Sequence, residues 1–267
     1  MCRHLAYLGP PATLRSVIID PPHGLYRQAW APRRQRHGTV NADGFGVGWY
    51  VPGEEDPVRY RRAEPIWGDE SFADVARVTR AGALLAAVRC ATAGTATGPA
   101  SVAPFVSGEW LFSHNGTIDG WPGSAAGLAA TLPASALLGL EARVDSALLW
   151  ALVLHRLHLG LGPAGALADT VTALRAAGVT GRFNFMLTDG RVIAATAAGD
   201  TLWHRSGATG AAGPAVVVAS EPGDDEPGWS EVTDGSVVTA RRGQVSVAEL
   251  DAQVHVKHAE NGRITIP

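Results

Sequence analysis

The chain opens with residues 1–9, MCRHLAYLG. Arg3–Leu8 reads as a short strand stopped by Gly9-Pro10-Pro11. Chain starts are usually frayed, polar and chemically dull, so a cysteine directly ahead of a strand calls for its own account. Because the side chain after Met1 is small, removal of Met1 is expected, and it leaves Cys2 carrying both its thiol and a free α-amine. That amine has an ordinary pKa of about 7.7–8.0 and accepts a proton near neutrality. A thiol with a pKa of about 8.5 is already a good nucleophile. One residue thus supplies nucleophile and base, and no histidine partner is required.

Composition bounds what the remainder can be. With 267 residues the chain has ample length for a sizeable core. A hydrophobic content of 46% with 18% charged residues is ordinary for a soluble globular protein. The formal net charge of -3 argues against a nucleic-acid footprint. The one basic run, Arg33-Arg34-Gln35-Arg36, reads as a solvated loop, and Lys257 is the only lysine. No basic-then-apolar leader opens the sequence, and the apolar run near Ala147–Leu154 is too short to span a bilayer. Two cysteines without such a leader fit a reducing cytoplasm. Cys90 then reads as a small core residue.

The pattern of elements predicts α+β layers rather than a Rossmann alternation. Residues 20–42 look like a long loop. In GFGVGWY, residues 44–50, Phe45, Val47 and Trp49 alternate with glycines, leaving one bulky and one bare face for tight sheet packing. Strands are predicted at Val58–Arg62, Ala83–Arg89 and Trp110–Ser113, and a helix at Asp69–Arg80. Two further helices follow at Val144–Leu159 and from Pro163 to Ala177, with Gly178 just past the end. Strands then dominate, with Asp189-Gly190 as a hairpin turn. No internal repeat or linker divides the chain, so residues 2–267 read as one domain.

Attack on an amide generates an oxyanion that needs preorganised donors. His114-Asn115-Gly116, at the end of a strand, offers the Asn115 side-chain amide and the Gly116 main-chain N–H; the same dipeptide also makes a plain β-turn. Arg89 ends an apolar strand, and its planar fork suits a carboxylate, including that of an amino acid, or a structural ion pair. Asp145, at a helix start, suits an ammonium group or a helix cap.

Taken in order, Cys2, then R-x-A-T-x-G at Arg89–Gly94, then H-N-G at 114–116, then V-D-S at 144–146, the motifs resemble those of class II glutamine amidotransferases, which are N-terminal-nucleophile hydrolases. The resemblance runs from Met1 to about Asp200. It implies a four-layer αββα sandwich with no cofactor and no metal. It further implies Cys2 as nucleophile, Asn115 and Gly116 as oxyanion hole, and Arg89, Asp145 and Thr92 as substrate-binding residues, with a small γ-glutamyl molecule as substrate. Some ammonia-supplying members carry histidines where this chain has Ala93 and Ala103. The stretches NADGFGVGWY, VRCATAG, APF, FSHNGTIDG and ASEPGDDEPGW are similar to the branch that hydrolyses γ-glutamyl-hercynylcysteine sulfoxide in ergothioneine biosynthesis. The two alanines would make room for its bulky leaving group. Trp49, Asp43, Trp229 and Asp224-Asp225-Glu226 are candidates to line that half of the pocket; each also has an ordinary reading, Trp49 in the core and the acidic run as a solvated loop.

Overall fold

The strand that begins next to Cys2, β1 (Arg3–Thr13), lies at the middle of a seven-stranded sheet. The following strands are β2 (Phe45–Trp49), β3 (Val58–Arg62), β4 (Arg80–Val88), β5 (Phe105–Ser107), β6 (Trp110–Ile118) and β7 (Gly181–Thr188). They continue as β8 (Ile193–Ala197), β9 (Trp203–Ala208), β10 (Pro214–Ala219), β11 (Ser230–Glu231), β12 (Ser236–Arg241) and β13 (Gln244–Glu249). The computed structural model describes residues 2–92, 94–208 and 213–251. The first sheet has the order β11-β9-β10-β1-β4-β2-β3 and the second β13-β12-β8-β7-β6-β5. Every described pairing is antiparallel.

Period-two alternation builds the layers. On β1, Leu5 and Tyr7 face outward and Ala6 and Leu8 face the second sheet; on β4, Leu84, Ala86 and Val88 face outward and Ala83 and Leu85 inward. The outer face of the first sheet is covered by α1 (Leu14–Ile18), α2 (Leu25–Gln28) and α3 (Glu70–Val78), through Leu14, Ile18, Leu25 and Phe72. Between α3 and the second sheet's helices come two short turns of helix, α4 (Ala126–Ala129) and α5 (Ala134–Leu138). The second sheet turns Phe112, Phe183, Phe185 and Leu187 toward α6 (Asp145–His158) and α7 (Pro163–Ala176), which answer with Leu149, Val153, Leu167 and Leu174. The α+β class and the helix–sheet–sheet–helix layering therefore hold.

Four local readings differ from the structure, the first being that residues 20–42, read as a long loop, contain the single-turn helix α2. β1 does not stop at Gly9-Pro10-Pro11 but continues to Thr13, with a register shift against β4 between Leu8 and Ala12. Prolines are tolerated at such an irregularity because no ladder bond asks for their missing N–H. His114-Asn115-Gly116 lies inside β6, with Asn115 opposite Asn184, and is not a turn. Cys90 falls beyond β4 and is a half-buried free thiol rather than a core residue.

The bare face of β2 is what lets the sheets close. A Cβ on Gly46 would sit 2.2 Å from the Ala103 carbonyl oxygen, and one on Gly48 2.6 Å from Leu111 Cδ1. Gly46→Ala is therefore expected to cost about 3 kcal/mol through overpacking against main chain. It should appear as a lower urea midpoint at unchanged slope, whereas an unchanged midpoint would contradict this packing.

The inter-sheet space also holds His4, fully buried, with Nδ1 3.1 Å from Ser113 Oγ and Nε2 without a partner among the described residues. Burial first, then the neighbouring Arg3 guanidinium, hold its pKa at about 3, below the usual 6.5. The unfolded chain takes up this proton near pH 6.5, so native stability falls as pH drops from about 6.5 toward 3. His4 alone should remove about 2 kcal/mol between pH 7 and pH 5. Urea titrations of wild type and His4→Gln check this: the loss should shrink in the variant, and equal losses would refute it.

Candidate active site

Cys2 sits half-buried at the head of the central strand. Burial pushes its thiol up, opposed by the chain's amino group, the Cys90 main-chain N–H and Arg89, and reinforced by Asp145. The resting sulfur is thus held as a neutral thiol that ionises only when a base is at hand.

The two groups of opposite charge that bear on this thiol are themselves unusual. Arg89 is 8% exposed, and its Nη2 donates to Thr95 Oγ1 at 3.3 Å and to the Ala96 carbonyl at 3.0 Å. Asp145 is also 8% exposed; Oδ2 accepts from Ile118 N at 3.1 Å and Oδ1 from Ser146 N at 2.8 Å. Among the described residues, Arg89 has no carboxylate and Asp145 no cation within ion-pair distance. Buried charges are normally paired because isolating one is costly. A guanidinium and a carboxylate left open beside one thiol match the carboxylate and ammonium of an α-amino acid. Asp145 caps its helix only in part, since one oxygen serves Ser146 N while the other crosses to β6.

Asn115 and Gly116 arrive from the opposite sheet. His4 on β1 touches Ser113 on β6. Cys2 lies two residues before His4 and Asn115 two residues after Ser113, on the same faces of their strands, so both emerge at one end of the sandwich. Asn115 is fully buried, with Nδ2 3.3 Å from Asp200 Oδ2 and Oδ1 without a partner among the described residues. At Gly116 any Cβ would lie 1.9 Å from the Arg182 carbonyl oxygen, so only glycine fits. That carbonyl accepts from His114 Nε2 at 2.9 Å, and His114 Nδ1 lies 3.0 Å from Ser146 Oγ. His114 thereby ties the oxyanion strand to the first turn of α6. Burial pushes its pKa down, so it stays neutral there.

The loop after Arg89 completes the rim. Asp43 Oδ2 accepts from Ala91 N at 2.7 Å, and the exposed Thr92 closes a turn through its carbonyl, which accepts from Thr95 Oγ1 at 2.7 Å. Ala93 lies outside the described residues. The other candidates for the leaving-group side do not converge. Trp49 packs in the core beneath the outer helices. Trp229 donates its indole N–H to Asp224 Oδ1 at 2.9 Å, and Arg205 both stacks on that ring and forks onto Asp224. Hydrogen bonds from Trp229 and Arg205 hold the Asp224 carboxyl below its usual range despite partial burial, which opposes them. Asp225 binds Arg33 and His23 at the surface. Among the described residues no group of three His, Cys, Asp or Glu is placed to hold a metal, and no helix is long and apolar enough to cross a membrane.

Sequence reasoning passed over Arg3, Asp200 and Glu221. Arg3 is fully buried and ion-paired to Asp200 at 3.1 Å, and Glu221 accepts from the main-chain N–H groups of Arg33 and Arg34. An arginine one residue behind the nucleophile, in an otherwise apolar strand, is the signal that would have found the first pair.

Comparisons with known proteins bear on the family and the fold. Residues 25–206 match the family described as class-II glutamine amidotransferases. A γ-glutamyl-hercynylcysteine sulfoxide hydrolase of Mycolicibacterium smegmatis is 42% identical, the match covering 94% of this chain and 100% of that protein. Its namesake from Mycobacterium tuberculosis is 41% identical, over 94% and 97% of the two chains. Among solved structures, a glutamine aminotransferase class-II domain protein from Silicibacter pomeroyi superposes with a TM-score of 0.67 at 24% identity, covering 93% of this chain and 99% of the other. The glutamine phosphoribosylpyrophosphate amidotransferase of B. subtilis reaches 0.64 at 15% identity, with 93% of this chain spanning 49% of that one. With the family region matched over residues 25–206 and a relative 42% identical over 94% of this sequence, the chain belongs to the class-II glutamine amidotransferases.

Proposed function

We propose that this protein is an amidohydrolase that cleaves the γ-glutamyl amide of γ-glutamyl-hercynylcysteine sulfoxide, releasing glutamate and hercynylcysteine sulfoxide. The observation that carries the reading is the pair of buried charges, Arg89 and Asp145, that act on the Cys2 thiol and have no ion-pair partner among the described residues. They fit the α-carboxylate and α-ammonium of a glutamyl group, whose γ-carbonyl then reaches sulfur. The leaving group is assigned from the two mycobacterial relatives, which carry that name at 41–42% identity over 94% of the chain.

In this mechanism Met1 is removed, and residues 2–267 form one catalytic domain. The α-amine of Cys2 takes the thiol proton as Sγ attacks the γ-carbonyl carbon. The π electrons move onto oxygen, where Asn115 Nδ2 and Gly116 N stabilise the charge. As the oxyanion collapses, the C–N bond breaks and the α-ammonium returns its proton to the leaving nitrogen. This leaves a γ-glutamyl thioester. The same amine then deprotonates a water molecule that attacks the thioester; Sγ leaves, recovers the proton, and glutamate departs. Thr92, on the exposed turn after Arg89, contributes to the substrate rim. In sequence, Ala93 and Ala103 stand where some ammonia-supplying members carry histidines, which suits a nitrogen substituent larger than hydrogen.

The direct test is glutamate release from synthetic γ-glutamyl-hercynylcysteine sulfoxide and from glutamine. The sulfoxide conjugate should be turned over far more efficiently; equal efficiency would contradict the substrate and favour an ammonia-supplying glutaminase. Cys2→Ala should abolish turnover and leave the fold intact, which circular dichroism checks. Asn115→Ala should lower kcat about 10²–10³-fold, and a loss confined to KM would refute the oxyanion role. Arg89→Lys should raise KM strongly, because a point charge does not replace the fork; an unchanged KM would remove Arg89 from the clamp.

A further inference from the structure

From the network behind the oxyanion strand, we propose that Arg3 and Asp200 act as a positioning pair that fixes the sense of the Asn115 side-chain amide. This deepens the proposed reaction and rests on Asn115 being its oxyanion donor.

Asn115 Nδ2 carries two hydrogens. One is taken by Asp200 Oδ2 at 3.3 Å, and the other is free for a reacting oxygen. Asn115 Oδ1 has no partner among the described residues, so nothing attached to that oxygen sets which way the amide faces. The carboxylate of Asp200 sets it. An ionised carboxylate only accepts, so a flipped amide would oppose two acceptor oxygens and would also aim Oδ1 at the oxyanion. Keeping the donor end in place is thus a task for Asp200.

Asp200 is in turn held rigidly. Its Oδ1 accepts from Thr201 N at 2.8 Å. Its main-chain N–H donates to Asn184 Oδ1 at 3.0 Å and its carbonyl accepts from Asn184 Nδ2 at 2.8 Å. Asn184 is the residue directly opposite Asn115 in the β6–β7 register. Arg3 donates from Nη2 to Asp200 Oδ2 at 3.1 Å, from Nη1 to Thr201 Oγ1 at 3.4 Å and from Nε to Gln35 Oε1 at 3.2 Å. The guanidinium offsets the charge of the Asp200 carboxylate, so the anchor does not repel the negative charge developing nearby. Both side chains of the pair are fully buried. A pair so placed is a poor source of stability, because desolvation offsets much of the attraction. Its place suits orientation instead: Arg3 adjoins the nucleophile in sequence, Asp200 touches the oxyanion donor, and the salt bridge ties β1 to the turn between β8 and β9.

The test measures glutamate release and thermal unfolding for Asp200→Asn, Arg3→Met/Asp200→Asn, Asn115→Ala and Asn115→Ala/Asp200→Asn. The Arg3→Met/Asp200→Asn variant removes both charges together and leaves no buried ion alone. In it Oδ1 of the new asparagine stays with Thr201 N and its NH2 faces Asn115, which favours the flipped amide. Its kcat should fall about 10²-fold with KM within about twofold, as for loss of a transition-state donor. Adding Asp200→Asn to Asn115→Ala should lower kcat no further. An unchanged kcat in a folded variant, or losses that multiply, would overturn the proposal. If neither Asp200 variant folds, the pair belongs to the fold and the proposal is equally overturned. Full kcat in Asn115→Ala alone would instead defeat the oxyanion reading on which it rests.

Discussion

An arginine and an aspartate, both buried and neither paired with a counter-charge among the described residues, set the terms for the rest of this site. Isolated buried charges are expensive unless something completes them. Among the described residues the Arg89 side chain nevertheless makes two hydrogen bonds, both from one nitrogen, and Asp145 is held by main-chain and hydroxyl donors. Under the proposed function, that cost offers a zwitterionic ligand two partners already desolvated and oriented. The Cys2 thiol on which both act is pushed toward its neutral form by burial. Its activation therefore depends on the base that the processed chain start would provide.

The two-sheet architecture explains how these groups meet. Cys2 and Arg89 come from neighbouring strands of the first sheet, β1 and β4, whereas Asn115, Gly116 and the start of α6 belong to the second. Close approach of the sheets is permitted by Gly46 and Gly48, whose missing side chains leave room for Ala103, Pro104 and Leu111. Small residues on one strand are thus a condition for chemistry assembled across the gap. His114 and Asp145 act as struts on the second sheet, linking β6 to α6 through Ser146 and Ile118.

Much of this was legible in the residues. Alternation in GFGVGWY predicted a bare face for close packing, which follows from period-two geometry, and Ala83–Arg89 was predicted as a strand, which β4 matches closely. The motif order marked Cys2, Arg89, Asn115, Gly116 and Asp145, and the structure brings electrostatic influence of Arg89 and Asp145 onto Cys2. Other features were hidden for physical reasons. Gly9-Pro10-Pro11 looks like a stop, but a register shift lets β1 run through it. Asn115-Gly116 looks like a turn, but the ladder with β7 holds it extended. Helices of four or five residues, such as α1 and α2, are too short to show a period. The Arg3–Asp200 pair joins positions 197 residues apart, a separation no local pattern records.

The central claim is that the buried charges present a glutamyl group to the sulfur of an unmasked Cys2. Peptide-mass mapping after treatment with a diazoketone analogue of L-glutamine tests it most directly. The account predicts one adduct, on the Cys2 thiol of a chain lacking Met1, with Cys90 untouched and labelling suppressed in Asp145→Asn. Equal labelling of Cys90, or undiminished labelling of Cys2 in chains that retain Met1, would contradict it.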